Sequence, residues 1–375
     1  MTKAGLTRFF PDGTRLLLNG GGRSFVERLG EEATRKAIAA VLAGENVRSQ
    51  TEFLTARRVA QVCGGIVRMF ANAGAENVPR LSALAIEQIE AGGTPRELWP
   101  ANWTLGLTGK STQNVLRGDP KARRAYVSEF ERAVADSGAK CRTDLGDLTM
   151  TLGVIQPAGQ SKSVELDWEG ICRLTAAIGS ATLTIRGSDK SGYGKLFEPL
   201  ILGSVLTLLG FTRTRPRAGG AKCAEPVFWL KDSKSDIREC DAVAVPRLGK
   251  VAKFDIGFIG PGNSEISKDK LSRFARQHEH DDGTTASSKT FIVVDRLPET
   301  SKTLRAAQEI DAELIQMSMQ YWPRTLAVAL HRWAEHDHPL RTMSDADSQA
   351  FIAEGLSKIK PSEFLSDALV DDEDE

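Results

Sequence analysis

The sequence predicts an α/β (α+β) fold with a helical N-terminal region, a core of order α-β-β-β-α-β with a mixed sheet, and C-terminal helices. Capping residues and one-sided apolar spacing favour helices over the first 150 residues. Short runs rich in Val and Ile, separated by turns, favour strands between residues 227 and 294. A chain of 375 residues is long enough for two domains. The predicted regions are 1–150, 151–300, 301–365 and a disordered acidic tail at 366–375.

Composition limits the classes of function. Hydrophobic residues make up 41% and charged residues 26% of the chain, as in an ordinary soluble globular protein. The formal net charge is zero, so nucleic-acid binding by bulk positive charge is not expected. No apolar run reaches the roughly 18–20 residues that span a bilayer, and the N-terminus lacks a secretory signal. Five scattered cysteines without a CxxC pair favour a reducing compartment, so we expect a cytoplasmic protein with no membrane partner.

The N-terminal region contains three predicted helices. Ser24 is a suitable cap for a helix over 24–42, and a second helix is expected over 51–73 despite the Gly64-Gly65 pair. A third is expected over 120–135. Together these elements predict a mainly helical region before the sheet.

Residues 104–118 predict a turn followed by a short helix. Its exposed side carries residues that pair with base edges in a major groove, because Gln and Asn match adenine and Arg and Lys match guanine. A helix-turn-helix reader and an ordinary polar helix start both account for this pattern. Gly109-Lys110-Ser111 is not a Walker A loop, since Thr104 stands where a glycine is required. The candidate DNA-binding residues here are Lys110, Gln113, Asn114 and Arg117.

The predicted core follows in order along the chain. Residues 151–187 suggest a helix at 171–178 and a β-prone run at 181–185, followed by a Gly/Ser/Lys loop at 188–195. An apolar helix is expected over 196–209, ended by Gly210. The remaining elements are strands at 227–230 and on both sides of a turn at 246–250, a helix at 265–277, a strand at 290–294, and a helix over 301–335 kinked at Pro323.

The predicted hairpin carries one carboxylate on each strand, Asp241 and Asp255. If the strands fold back around Leu248, Asp241 lies opposite Ile256 and Asp255 is its neighbour across the ladder. Buried carboxylates are costly unless a cation compensates them. Asp241 has an alternative role, as a turn-flanking aspartate or in a salt bridge with Arg238 or Arg247. Mg²⁺ prefers a few carboxylates together with water and phosphate oxygens. The pattern therefore predicts a metal-dependent phosphodiesterase.

Four further residues are candidates for the same site. Glu198, near the start of the apolar helix, is either a third acidic ligand or a helix-dipole partner. Lys253 lies two residues before Asp255 and points to the same face. Glu265 and Lys268 lie on the helix that follows the second hairpin strand.

An arginine-containing loop precedes the hairpin. The loop is interpreted either as a solvated surface loop or as a clamp that binds the phosphate backbone of DNA. The candidate DNA-binding residues in it are Arg213, Arg215 and Arg217. Two histidine-containing segments, at 278–282 and 331–338, lack the HExxH spacing of a zinc site and are interpreted as solvated loops.

The order α-β-β-β-α-β, with acids on the helix and on both hairpin strands, resembles the PD-(D/E)xK nuclease core. Cys240-Asp241 stands at the Pro-Asp position, and Asp255-Ile256-Gly257 stands at the Asp/Glu-x-Lys triplet without its lysine. In this resemblance Asp241 and Asp255 take the two metal-ligand positions. Lys253 or Lys268 has to replace the missing lysine.

The chain more closely resembles the CfrBI-like type II restriction endonucleases, over most of its length. The stretches that carry the resemblance are 18–28, 194–199 and 254–266, which include Leu18-Asn19-Gly20-Gly21, Gly194-Lys195-Leu196-Phe197-Glu198-Pro199 and Phe254-Asp255-Ile256-Gly257. The resemblance implies Mg²⁺-dependent cleavage of double-stranded DNA at a CCWWGG-like palindrome, leaving 5′-phosphate ends. It also implies a homodimer, sensitivity to methylation and a DNA methyltransferase as genetic partner.

Under this resemblance, region 1–150 contributes DNA contacts or a dimer interface and region 151–300 is the nuclease core. Three alternatives stay open at the level of sequence. One is a non-specific or repair nuclease on the same core. The others are a non-enzymatic helix-turn-helix regulator and a protein-interaction module.

Overall fold

The computed structural model describes most of the chain, and its compact units are interleaved in sequence. Unit 1, here the helical unit, consists of Met1–Gly20 and Thr55–Lys190, and unit 2, the sheet unit, of Gly21–Leu54 and Ser191–Glu375. The helical unit continues through residue 150, the predicted boundary, in its segment Thr55–Lys190. The helices Val47–Ala73 and Trp168–Leu208 each contribute residues to both units. The described residues are 5–19, 22–116, 120–155, 161–215, 226–231, 240–257, 287–295 and 312–365.

The regular elements are numbered along the described chain. The helices are α1 (Asp12–Asn19), α2 (Gly22–Leu29), α3 (Glu31–Leu42), α4 (Val47–Ala73), α5 (Leu81–Ala91), α6 (Pro95–Thr104), α7 (Gly109–Val115), α8 (Pro120–Leu145), α9 (Trp168–Leu208), α10 (Trp322–Ala334) and α11 (Asp345–Ser357). The strands are β1 (Met150–Ile155), β2 (Ser161–Leu166), β3 (Thr212–Arg213), β4 (Val227–Leu230), β5 (Ala242–Arg247), β6 (Lys250–Gly257), β7 (Ser287–Val294) and β8 (Glu313–Gln316). Short 3-10 helices occupy Gly5–Arg8, Val78–Arg80, Pro339–Thr342 and Pro361–Phe364. None of the described helices is both long enough and apolar enough to cross a bilayer.

The helical unit is mainly helical and also contains the antiparallel pair β1–β2, which the sequence did not predict. A second difference from the prediction lies in α9. The expected strand at 181–185 and loop at 188–195 are wrong, because both ranges lie within this helix. Ala181 and Ile185 are fully buried in the core of the unit, whereas Leu183 is 66% exposed. A spacing of four between buried residues fits a helix, and the β-branched threonines of the run concealed it.

The bounds of all three helices predicted in the N-terminal region also change. The helix expected over 24–42 is divided into α2 and α3 at Gly30, whose φ of 113° belongs to a conformation that favours glycine. The helix expected over 51–73 is confirmed and begins earlier, at Val47. The helix that begins at Pro120 continues beyond the expected end to Leu145.

The sheet unit contains a six-stranded mixed sheet in the order β3-β4-β5-β6-β7-β8. β4, β5 and β6 pair antiparallel, whereas β6, β7 and β8 pair parallel. The predicted strands and hairpin are therefore confirmed, and the predicted helix 265–277 lies outside the described residues. The prediction of one helix over 301–335 is wrong, because Glu313–Gln316 form the strand β8. Pro323 does not kink a helix but lies in the first turn of α10, where a backbone N–H has no partner within the helix.

One face of this sheet is the core of the unit. Phe228, Ala244, Phe254 and Phe291 are fully buried on it, together with the apolar residues of α9 from Leu196 onward. Because side chains alternate along a strand, Lys253 and Asp255 project from the opposite face. The hairpin therefore has one apolar face that fixes it and one face that carries charged groups.

Candidate active site at the β5–β6 hairpin

A bulge in β5 sets the register of the hairpin. Arg247 pairs with Lys250 next to the turn, but Ala242 pairs with Phe254, with an irregularity between Ala244 and Arg247. A bulge adds one residue to one strand, so the uniform register behind the predicted opposition of Asp241 and Ile256 does not hold. Asp241 instead precedes the first residue of β5 and reaches Ile256 through its side chain.

Three hydrogen bonds fix Asp241. Its main-chain N–H donates to the carbonyl oxygen of Phe254 at 2.8 Å, and its carbonyl oxygen accepts from the N–H of Lys231 at 3.0 Å. Its carboxylate Oδ2 accepts from the main-chain N–H of Ile256 at 2.9 Å. That N–H belongs to the peptide that follows Asp255, so the structure brings the Asp241 carboxylate to the main chain beside the second aspartate.

Asp255 is buried at the same end of the hairpin. Its exposed fraction is 7%, and its partner on β7 is Ile292, which is 4% exposed. Two carboxylates on one hairpin end concentrate negative charge where the dielectric constant is low, and such a site favours a cation. Both residues offer hard oxygen donors, the type that Mg²⁺ binds.

Lys253 shares the strand face of Asp255, as predicted. It pairs with Val243 on β5 and Thr290 on β7, and it is half-buried. Residues two apart on a strand are about 6.6 Å apart along the chain, so the long lysine side chain has the reach to place positive charge next to the carboxylates.

Glu198 lies in the interior of α9, half-buried between Phe197 and Leu200. The alternative role as a helix-dipole partner is wrong, because the helix begins thirty residues earlier at Trp168. In the part of the chain that the structure describes, no group of three or more His, Cys, Asp or Glu residues is arranged to hold a metal ion. Glu198 therefore does not form a three-carboxylate cluster with Asp241 and Asp255. A pair of carboxylates still suits Mg²⁺, which completes its coordination with water and phosphate oxygens.

The predicted reading helix is present as α7 in the helical unit. The Thr108 hydroxyl accepts from the N–H of Ser111 at 3.4 Å and caps the helix, which follows α6 after a four-residue turn. Lys110, Gln113 and Asn114 are exposed on it. The geometry is that of two helices joined by a short turn, and the role in base reading stays a prediction.

The arginines upstream of the hairpin lie at an edge of the sheet. Arg213 is on the edge strand β3 and donates to the carbonyl oxygen of Glu363, and its Cζ lies 5.7 Å from the centroid of the Phe364 ring. Arg215 is exposed two residues further on. Four of the predicted site residues lie outside the described residues: Arg117, Arg217, Glu265 and Lys268.

A buried polar cluster in the helical unit had no signal in the sequence. Asp189 accepts from the Thr55 hydroxyl at 3.0 Å and pairs with Arg58, which also donates to the carbonyl oxygen of Leu17 at 2.9 Å. These residues join α1, α4 and α9. Positions 58 and 189 are too far apart in sequence for any local pattern to link them.

Comparisons with known proteins support one family. The family described as CfrBI restriction endonuclease matches residues 31–302. The type II restriction enzyme CfrBI of Citrobacter freundii is 32% identical over 365 residues, which cover 95% of this chain and 97% of that protein. No solved structure matches this chain.

Proposed function

We infer the chemistry of this protein from one premise: the chain belongs to the CfrBI restriction endonuclease family and is a type II site-specific deoxyribonuclease. We propose that Asp241 and Asp255 hold Mg²⁺ at the scissile phosphate of double-stranded DNA. The observation that carries the proposal is the hydrogen bond from the Ile256 N–H to Asp241 Oδ2, at 2.9 Å, beside the buried Asp255.

The two aspartates have different tasks in this proposal. The main-chain and side-chain hydrogen bonds of Asp241 fix its carboxylate before DNA arrives, which reduces the cost of assembling the site. Asp255 contributes charge from a buried position, where electrostatic interactions are stronger than in water. When bound, Mg²⁺ supplies a Lewis acid that neutralises phosphate charge and lowers the pKa of a water molecule.

Lys253 and Glu198 complete the proposed site. Lys253 stabilises the negative charge that develops on the phosphate oxygens, in place of the lysine missing from the triplet. Glu198 is proposed to orient the attacking water and not to bind the metal. Glu265 and Lys268 stay predictions for the same roles.

The proposed reaction is an in-line displacement at phosphorus. Water forms the new P–O bond and gives up one proton while the bond to the 3′ oxygen breaks, and the 3′ oxygen takes up a proton. The products are a 5′-phosphate and a 3′-hydroxyl.

We assign recognition to residues other than the carboxylates. We propose that Lys110, Gln113 and Asn114 of α7, with Arg117, contact base edges, and that Arg213, Arg215 and Arg217 contact phosphates. A CCWWGG-like palindrome has two-fold symmetry, so the proposal includes a homodimer, and the host requires a DNA methyltransferase for protection.

The test is digestion of plasmid DNA with Mg²⁺ by the parent chain, by Asp255→Asn and by a control. We expect discrete fragments from the parent and a loss of at least about 10³-fold in rate for Asp255→Asn, because a charge essential to the site is removed. Glu354→Gln is a matched control, since Glu354 is an exposed acid that pairs only with Lys358 four residues on in the described chain. An Asp255→Asn chain that cuts at the parent rate refutes the proposed site.

A further inference from the structure

Two arginines of the sheet unit converge on residues 363–365. Arg23 Nη2 lies 3.5 Å from the carbonyl oxygen of Leu365 and donates to it. Arg213 donates to the carbonyl oxygen of Glu363 and stacks over Phe364. The two guanidinium groups thus contact main-chain groups only two residues apart.

Arg215 extends this positive charge along the edge strand. The main chain stays paired with β4 beyond Arg213, because the Thr214 N–H donates to the carbonyl oxygen of Phe228 at 2.8 Å. Side chains two apart on a strand share a face, so Arg215 lies on the side of Arg213. Arg23, Arg213 and Arg215 are here named the arginine site.

The arginine site is electrostatically crowded. Burial lowers the pKa of Arg213, the charges of Arg23 and Arg215 lower it further, and Glu363 opposes them. Neighbouring like charges repel, and a ligand with several negative charges relieves the repulsion. Guanidinium groups bind carboxylates and phosphates with the same paired geometry.

An acidic segment follows directly on Leu365. Residues 366–375 read Ser-Asp-Ala-Leu-Val-Asp-Asp-Glu-Asp-Glu and carry six carboxylates. Asp371 is six Cα–Cα steps from Leu365, so even the fully extended chain reaches only about 20 Å. A short tether gives the attached carboxylates an effective concentration of about millimolar order at the arginine site.

We propose that the acidic tail, residues 366–375, occupies the arginine site and competes there with DNA phosphates. The inference rests on the proposed function, because Arg213 and Arg215 are among its phosphate contacts. Competition of this kind weakens binding to DNA in general and leaves base reading by α7 untouched. The tail therefore raises selectivity by suppressing non-specific binding.

The first experiment tests the tail site without DNA. A labelled peptide of residues 366–375 is titrated into a chain that ends at Leu365, and into the same chain with Arg215→Gln. Arg215 is exposed, so this substitution preserves the fold more safely than one at Arg213. We expect salt-sensitive binding that weakens about threefold in Arg215→Gln, the size of one exposed ion pair. Absence of peptide binding, or equal binding by the two chains, overturns the inference.

The second experiment measures the affinity for a duplex that lacks the recognition site, without Mg²⁺. We expect the chain ending at Leu365 to bind about threefold to tenfold more tightly than the full chain at 50 mM salt, with little difference at 200 mM. The length-matched control replaces the last five acids by their amides: Asp371→Asn, Asp372→Asn, Glu373→Gln, Asp374→Asn and Glu375→Gln.

The two experiments separate the two failures. If the amide variant and the shortened chain bind DNA as the full chain does, the tail inference is wrong even though the nuclease stands. If the peptide binds the arginine site but no chain binds DNA, the proposed function is wrong and the tail site stands.

Discussion

The two units each bury an aspartate, and the surroundings of these residues differ. Asp189 in the helical unit is 5% exposed and pairs with Arg58 and Thr55. Asp255 in the sheet unit is 7% exposed, and the carboxylate of Asp241 is fixed beside its main chain. A buried acid matched with a buried arginine holds helices together, whereas we propose a site for a cation where a buried acid lies beside a second acid. Equal burial therefore does not imply equal function.

The largest predicted effect is a loss of stability when Asp189 is replaced. Asp189→Asn leaves Arg58 buried without its counter-charge, so the free energy of unfolding should fall by about 3–5 kcal/mol. Cleavage per folded molecule should stay near the parent value. Urea denaturation together with plasmid digestion checks both statements.

The matched variant is Asp255→Asn, which should change the free energy of unfolding by less than about 1 kcal/mol while cleavage is lost. If both variants lose stability equally, the distinction between a structural and a functional aspartate is broken.

A smaller effect is expected for α7, the proposed recognition helix. Gln113→Ala should cost about 1–3 kcal/mol in binding to the recognition sequence, because a base contact is lost. Affinity for non-specific DNA should stay constant, since this contact carries no phosphate charge. Competition binding with cognate and non-cognate duplexes measures the difference. An equal loss for both duplexes assigns α7 to phosphate contact instead.

The smallest effect concerns pH and the C-terminal helices. Burial lowers the pKa of His338 and the charge of His336 lowers it further, against opposing contributions from Leu208 and Asp337. His338 Nδ1 accepts from the Leu340 N–H at 3.2 Å, which requires the neutral ring. Because the folded pKa lies below the unfolded value of 6.5, this stabilisation is full above pH 6.5 and is lost as the pH falls through the folded pKa.

Thermal unfolding from pH 8 to pH 5 tests this dependence. His338→Asn keeps a capping acceptor that does not titrate, so the fall in melting temperature over this range should be smaller than in the parent chain. An identical fall in both chains excludes His338 as a source of the pH dependence.

Local sequence signals predicted the parts of the fold that local forces determine. The strand at 227–230 and the hairpin followed from short β-branched runs bounded by turns, and both aspartates lie at the hairpin as expected. The β-bulge did not follow, because register depends on packing across strands. The pairing of Asp189 with Arg58 did not follow either, because it links residues distant in sequence.

The continuity of α9 shows a different limit. Threonines and Gly/Ser residues between 181 and 195 have weak helix propensity, and tertiary packing of one apolar side overrides it. That same continuity removed the helix-dipole interpretation of Glu198. The wrong prediction of a loop at 188–195 therefore changed the interpretation of Glu198. The prediction that Asp241 and Asp255 lie at the hairpin did not depend on it.

The most direct test of the carboxylate pair is Mg²⁺ binding in the presence of cognate DNA, measured for the parent chain and for Asp241→Asn. The asparagine side chain still offers an oxygen to the Ile256 N–H, so the hairpin is preserved while one charge is removed. We predict that the parent chain binds Mg²⁺ and cuts, and that Asp241→Asn binds it at least about tenfold more weakly and does not cut. Unchanged Mg²⁺ affinity and unchanged cleavage in Asp241→Asn contradict the account.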